Sequence, residues 1–176
     1  ASVGDAARGF AGVEEVSPYL QLPVRLTSPG GREDALLTAL DPAQQLRGFR
    51  LDSSTAAEAL ASNSIVLTDS IAADLDVSAG DRVTVTTPAG SYELRVGATS
   101  DEPIPPRAFI SLDTAAGLAG ADTPPVNGLY LRVDPAADVA EIRTRLFDLP
   151  GAESVKLRQE QRDDLASQLA LFTAIM

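Results

Sequence analysis

The stretch Asp74-Leu75-Asp76-Val77-Ser78-Ala79-Gly80-Asp81-Arg82-Val83-Thr84-Val85 constrains the fold of this chain more than any other part. A short helix runs into a hydrophobe, then a Gly-Asp turn, then a strand whose apolar residues recur at every second position. Gly80 admits the left-handed backbone of the turn, and Asp81 is placed to accept from the turn backbone. Val83 and Val85 then fall on one face. The partner strand follows Pro88-Ala89-Gly90, with Tyr92, Leu94 and Val96 sharing a face, so burial sets the register of the hairpin. The pattern is that of a small β-barrel module; it fixes local structure and carries no chemistry.

The remaining elements are read from pattern and punctuation. Residues 2–10 predict a short helix. Residues 19–26 predict a strand that Pro23 confines to an edge or an irregular stretch. Ser28-Pro29-Gly30-Gly31 turns the chain back into a strand over 33–40, which Asp41-Pro42 ends. A short turn or helical piece follows at 44–49, and residues 55–60 predict a helix. Residues 64–68 form a strand, with Asp69 capping a helix over 70–75. Residues 107–111 are another strand leading into a helix over 112–118, after the Pro-rich link 101–106. Residues 128–133 predict a strand with Leu129, Leu131 and Val133 inward. Asp134-Pro135 then opens a helix over 136–147, with Val139, Ile142 and Leu146 inward and Arg143 and Arg145 outward. A last strand at 152–157 makes 128–157 a strand–helix–strand unit long enough for a parallel pair.

Composition narrows the chemistry. The 176 residues contain neither His nor Cys, so Ser-His-Asp and Cys-His catalysis and imidazole or thiolate zinc sites are excluded within this sequence. The net charge of −11 disfavours nucleic acid and anionic lipid as partners, since both recruit Lys and Arg. Asp69, Asp74 and Asp76 lack the alternating oxygen ligands and following glycine of a calcium loop. The adjacent pairs Glu14-Glu15, Asp101-Glu102 and Asp163-Asp164 do not converge on one point in a helix or strand. Gly30-Gly31 lacks the lysine of a phosphate-binding loop. The expectation is therefore no catalytic, metal-binding or cofactor-binding residue.

Residues 169–176, Leu-Ala-Leu-Phe-Thr-Ala-Ile-Met, carry no charge and follow a polar helix start at 158–164. A bilayer-spanning helix needs about 20 apolar residues, so this run reads as the first third of one, which makes the chain a soluble piece of a membrane protein. The alternative is an amphipathic helix in which Leu165, Leu169, Phe172 and Met176 form an ordinary core stripe.

Taken in order, these segments resemble the extracytoplasmic domain of FtsX-like/MacB-like ABC transporter permeases. The resemblance is carried by Val13-Glu14-Glu15-Val16-Ser17-Pro18, by Ala39-Leu40-Asp41-Pro42, and by the strand–helix–Gly-Asp–strand segment 64–85. It continues through Arg107-Ala108-Phe109-Ile110-Ser111-Leu112, then residues 127–133 with the following helix and Gly151-Ala152-Glu153-Ser154-Val155. The sequence departs from some members in lacking an extended Gly- and Asn-rich insertion. The resemblance implies an α+β, two-lobed fold. A porter-like α/β lobe would comprise 1–60 and 121–158, and a small β-rich, barrel-like lobe would be inserted at 61–120. Residues 159–176 would lead into a transmembrane segment.

It also implies a non-catalytic domain on the extracytoplasmic side of the cell membrane. The domain would transmit ATP-driven motion, contact a substrate or partner protein, or do both. Its partners would be a cytoplasmic ABC ATPase subunit acting through the membrane part and a second permease copy or internal repeat. Mechanical roles fall on Leu165, Leu169 and Phe172 for coupling to the membrane, and on Pro103, Pro105 and Pro106 for a restricted link between lobes. Leu20, Leu22, Phe49 and Phe109 are apolar candidates for a contact surface, although each is more often core. Two rivals remain open: a ligand-binding or scaffolding ectodomain of a non-transport membrane protein such as a sensor, and a carboxylate-based hydrolase.

Overall fold

In the computed structural model the described residues are 3–43, 55–101, 107–150 and 154–155. They fold as an α+β structure in which short helices flank one seven-stranded mixed sheet. The strands are β1 (Val13–Thr27), β2 (Arg32–Leu40), β3 (Ser64–Thr68), β4 (Arg82–Thr87), β5 (Gly90–Ser100), β6 (Arg107–Ser111) and β7 (Gly128–Val133). The helices are α1 (Val3–Arg8), α2 (Ala56–Ala59), α3 (Asp69–Asp74), α4 (Leu112–Ala119) and α5 (Val139–Phe147). Two compact units divide the chain, one of residues 1–14 with 133–176 and one of residues 15–132.

The larger unit is organised by its pairing. The strand order is β2-β6-β3-β5-β4-β1-β7, and β2 also pairs with β1. That extra pairing joins two positions in the order, so β1, β2, β6, β3, β5 and β4 make a closed circuit, with β7 added to β1 outside it. Closure gives each of those six strands a partner on both sides over part of its length, which limits the free edge that open sheets must otherwise manage. The strand circuit thus takes in β1 and β2 as well as β3–β6.

Alternation decides what the circuit encloses. Val24 and Leu26 of β1, Leu37 and Ala39 of β2, Ile65 and Leu67 of β3, Val83 and Val85 of β4, Leu94 and Val96 of β5, and Ala108 and Ile110 of β6 form one buried cluster. Ile71 and Leu75 from the α3 region and Leu112 and Ala115 from α4 complete it. The opposite face of β3 and β6 carries a second, smaller cluster of Leu40, Ala59, Leu60, Val66, Ala98 and Phe109. Ala98 joins that cluster because of a bulge. Ile65 is opposite Val96 but Val66 is opposite Ala98, so Gly97 is the extra residue and the alternation of β5 is reversed beyond it. A Cβ on Gly97 would overlap the Ala59 carbonyl oxygen, so α2 packs at the bulge only because the residue is glycine.

The Gly-Asp turn behaves as its sequence requires. Gly80 has φ +102°, Ser78 N–H donates to the Asp81 carboxylate at 2.8 Å, and Val83 and Val85 are buried. The β1–β2 hairpin also follows expectation, although β1 begins six residues earlier, at Val13. Pro23 is tolerated because odd-numbered β1 residues direct their backbone groups away from β2. Gln21 pairs on that side with Asn127, and Arg25 with Thr86 of β4. Pro23 falls between the two partners, where a missing N–H costs no ladder bond.

Two helix starts differ from the sequence reading. Thr68 is the N-cap of α3, and Asp69 is its first residue. α5 begins at Val139, with Asp138 as its cap. Asp134 instead accepts from Ala136 N–H at 2.8 Å in a local turn, which delays the helix by three residues. The later start leaves Val139 exposed, while Ile142 and Leu146 are buried as expected. Leu129, Leu131 and Val133 are half-buried. The strand expected at 152–157 lies outside the described residues apart from Ser154 and Val155, which are not in a strand.

Candidate functional site

Every mechanical candidate from the sequence, Pro103, Pro105, Pro106, Leu165, Leu169 and Phe172, lies outside the described residues, as does Phe49. The other apolar candidates are structural. Phe109 is fully buried, and Leu20 and Leu22 pack against the main core. Among the described residues no three Asp or Glu side chains are grouped to hold a metal ion, and no helix is long and apolar enough to cross a membrane.

The most elaborated surface of the larger unit is the seam between β1 and β7. Asn127, just before β7, donates its backbone N–H to Tyr19 O at 3.0 Å. Its side-chain amide then accepts from Gln21 N–H at 2.8 Å and donates to Gln21 O at 2.6 Å. The carboxamide thus reproduces the donor–acceptor pair of a strand residue. One turn of the pleat away, the rings of Tyr19 and Tyr130 stack with centroids 4.3 Å apart and planes at 30°. Gly128 lies under Tyr19, where a Cβ would overlap the ring. Burial raises the Tyr19 hydroxyl above its ordinary pKa, and the neighbouring Tyr130 adds to the shift. Further along, Arg132 and Glu15 form an ion pair at 2.9 Å. The sequence placed β7 but gave no sign of the amide clamp, because pairing across 106 residues leaves no local trace.

On the outer face of the circuit a shallow groove of about 570 Å³ is lined by Pro23, Arg25, Asp34, Leu36, Thr86 and Pro88, among others. At its side Arg25 grips Asp34 through two bonds of 2.7 and 3.0 Å. The smaller unit has its own hollow of about 310 Å³ beside Gly12 and the start of α5. Gly12, at φ +85°, accepts from Asp134 N–H at 2.8 Å, and the Arg145 guanidinium lies 4.3 Å above the Phe10 ring. Asp134, Asp138, Glu141 and Arg145 give the hollow a charged, open rim.

Comparison with known proteins places this architecture. The profile of the MacB-like periplasmic core domain matches residues 1–148. Comparison with the sequences of curated proteins gives no match. Among solved structures, the extracellular domain of the noncanonic ABC-type transporter YknZ from Gram-positive bacteria superposes with a TM-score of 0.57 at 11% identity. That alignment covers 80% of this chain and 75% of the other. The periplasmic region of MacB from Actinobacillus actinomycetemcomitans also gives 0.57 at 11% identity, covering 82% of this chain and 69% of the other. At such identity the structural likeness speaks for the fold, and the profile match speaks for the family. The chain belongs to the MacB-like periplasmic core domain family, the generally non-catalytic region of ABC transporter permeases on the extracytoplasmic side of the membrane.

Proposed function

We propose that this domain does no chemistry of its own and is the extracytoplasmic mechanical element of its permease. It takes up motion that a cytoplasmic ATPase drives through the membrane helices and passes it to a substrate or an extracytoplasmic partner. The observation that carries this reading is the family match over residues 1–148, which takes in residues of both compact units. It favours transport over the sensor and hydrolase alternatives. The absence of His and Cys from the sequence supports the non-catalytic part, and the closed strand circuit supports the mechanical part, since each of its six strands is hydrogen-bonded to two neighbours. The segments flanking residues 15–132 belong to one compact unit, so motion arriving along either would enter through that unit.

Coupling through Leu165, Leu169 and Phe172, and restriction by Pro103, Pro105 and Pro106, are part of the same proposal, as is work with a second permease copy or internal repeat. So is the lobe division 1–60 with 121–158 around 61–120, in which β1 and β2 would tie the first lobe into the sheet of the insert. The test replaces residues 3–148 by a short flexible linker in the full-length permease, reconstituted with its ATPase in lipid vesicles. ATP hydrolysis should persist while transport, or activation of the partner, is lost. Survival of transport, or turnover of a substrate by the isolated domain, overturns the reading.

A further inference from the structure

The β1–β7 seam is built on an Asn-Gly dipeptide, the sequence most open to spontaneous deamidation because glycine leaves the attacking backbone nitrogen unhindered. Both residues are dictated by the seam. Only an amide offers Gln21 a donor and an acceptor together, and only glycine leaves room for the Tyr19 ring. The same contacts that demand the dipeptide also restrain it. Ring closure needs Gly128 N to reach Asn127 Cγ, and the carboxamide is turned instead onto Gln21 with its backbone N–H on Tyr19 O. Asn127 is exposed, so water is at hand once the amide swings free.

We propose that Asn127–Gly128 is a deamidation site gated by opening of the β1–β7 seam, which turns a transient opening into a permanent one. In the step, Gly128 N loses its proton and attacks Asn127 Cγ. The new N–C bond closes a succinimide, and the side-chain nitrogen leaves as ammonia. One water then opens the ring at either carbonyl, giving aspartate or isoaspartate. Each product sets a carboxylate oxygen against Gln21 O where the amide donated at 2.6 Å, and a carboxylate has no proton to give at neutral pH. Isoaspartate also adds a backbone methylene directly before β7. Closed seams are thus protected, and opened, modified seams do not re-form.

The experiment follows the intact 176-residue chain at mildly alkaline pH, folded and in urea, by peptide mass spectrometry that separates aspartate from isoaspartate. Asn63, which precedes Ser64 and is the only other asparagine, is the reference within the same digest. Folding should slow conversion of Asn127 by roughly tenfold or more, equivalent to about 1.4 kcal/mol of local opening. Tyr19→Ala, which removes the stacked ring, should restore much of the rate. Should that variant not fold, the wild-type rate in urea below the unfolding transition gives the same information. The deamidated fraction, isolated by ion exchange, should show faster amide hydrogen exchange in β1 and β7 than the parent. Equal conversion rates in folded and unfolded chains overturn the gating. Unchanged exchange in the modified fraction overturns the loss of the seam.

Discussion

Phe109→Ala tests the division of the core into two clusters. Phe109 is fully buried and is the largest side chain in the cluster of Leu40, Ala59, Leu60, Val66 and Ala98. Removing a buried phenyl loses about 2–3 kcal/mol of transfer free energy, and the unfilled cavity raises the expected loss to about 4 kcal/mol. The cavity cost is retained because the surroundings cannot collapse. Two of the five neighbours are alanines, and Val66 and Phe109 are locked in register as cross-strand partners. Urea unfolding followed by circular dichroism should move the midpoint down by about 2 M, taking a slope near 2 kcal/mol/M. Phe147→Ala is the matched control: Phe147 is 46% exposed, so the same change should cost under about 1 kcal/mol. A loss below about 1.5 kcal/mol at Phe109, or equal losses at both positions, would refute the packing argument.

Gly97→Ala should destabilise by about 1–3 kcal/mol, because its methyl meets a backbone carbonyl that cannot rotate away, and hydrogen exchange should speed up first in α2 and β5. The same change at Gly117, where a Cβ meets nothing within 4 Å, should be neutral or slightly stabilising in the α4 interior. The Arg25 hydrogen bond lowers the pKa of Asp34 below its reference 3.8. A depressed folded-state pKa contributes stability above the unfolded value and loses it as pH falls through the folded one. A carboxyl-detected NMR titration should therefore find the Asp34 midpoint below 3.8, and Arg25→Ala should return it to the ordinary range. Tyr19 has the opposite sign. Its raised pKa contributes stability below the unfolded value, near 10, which is lost as pH rises through the folded one. Ultraviolet titration should show Tyr19 ionising above the ordinary tyrosine value near 10, and Tyr130→Phe should remove only the smaller part of the shift, since burial is its first cause.

What the sequence determined alone is whatever rests on neighbours in the chain. Gly80 and Asp81 set their turn, the alternation of Val83 and Val85 against Leu94 and Val96 fixed the β4–β5 hairpin, and Gly30-Gly31 turned β1 into β2. Lack of His and Cys fixed which chemistries were out of reach. The order of weak segments was enough for the family, since turn and strand signals in a fixed sequence specify a topology even when each is common. Local signals failed where two residues competed for one role: Asp134 and Asp138 both qualify as a helix cap, and Asp134 closes a turn with Ala136 while Asp138 caps the helix. Tertiary structure alone decided that β2 pairs with both β1 and β6 to close the circuit, that Gly97 reverses the face of Ala98, and that Asn127 clamps Gln21. These depend on which distant segments meet. A sequence records the faces its strands bury but not the partners against which they bury them.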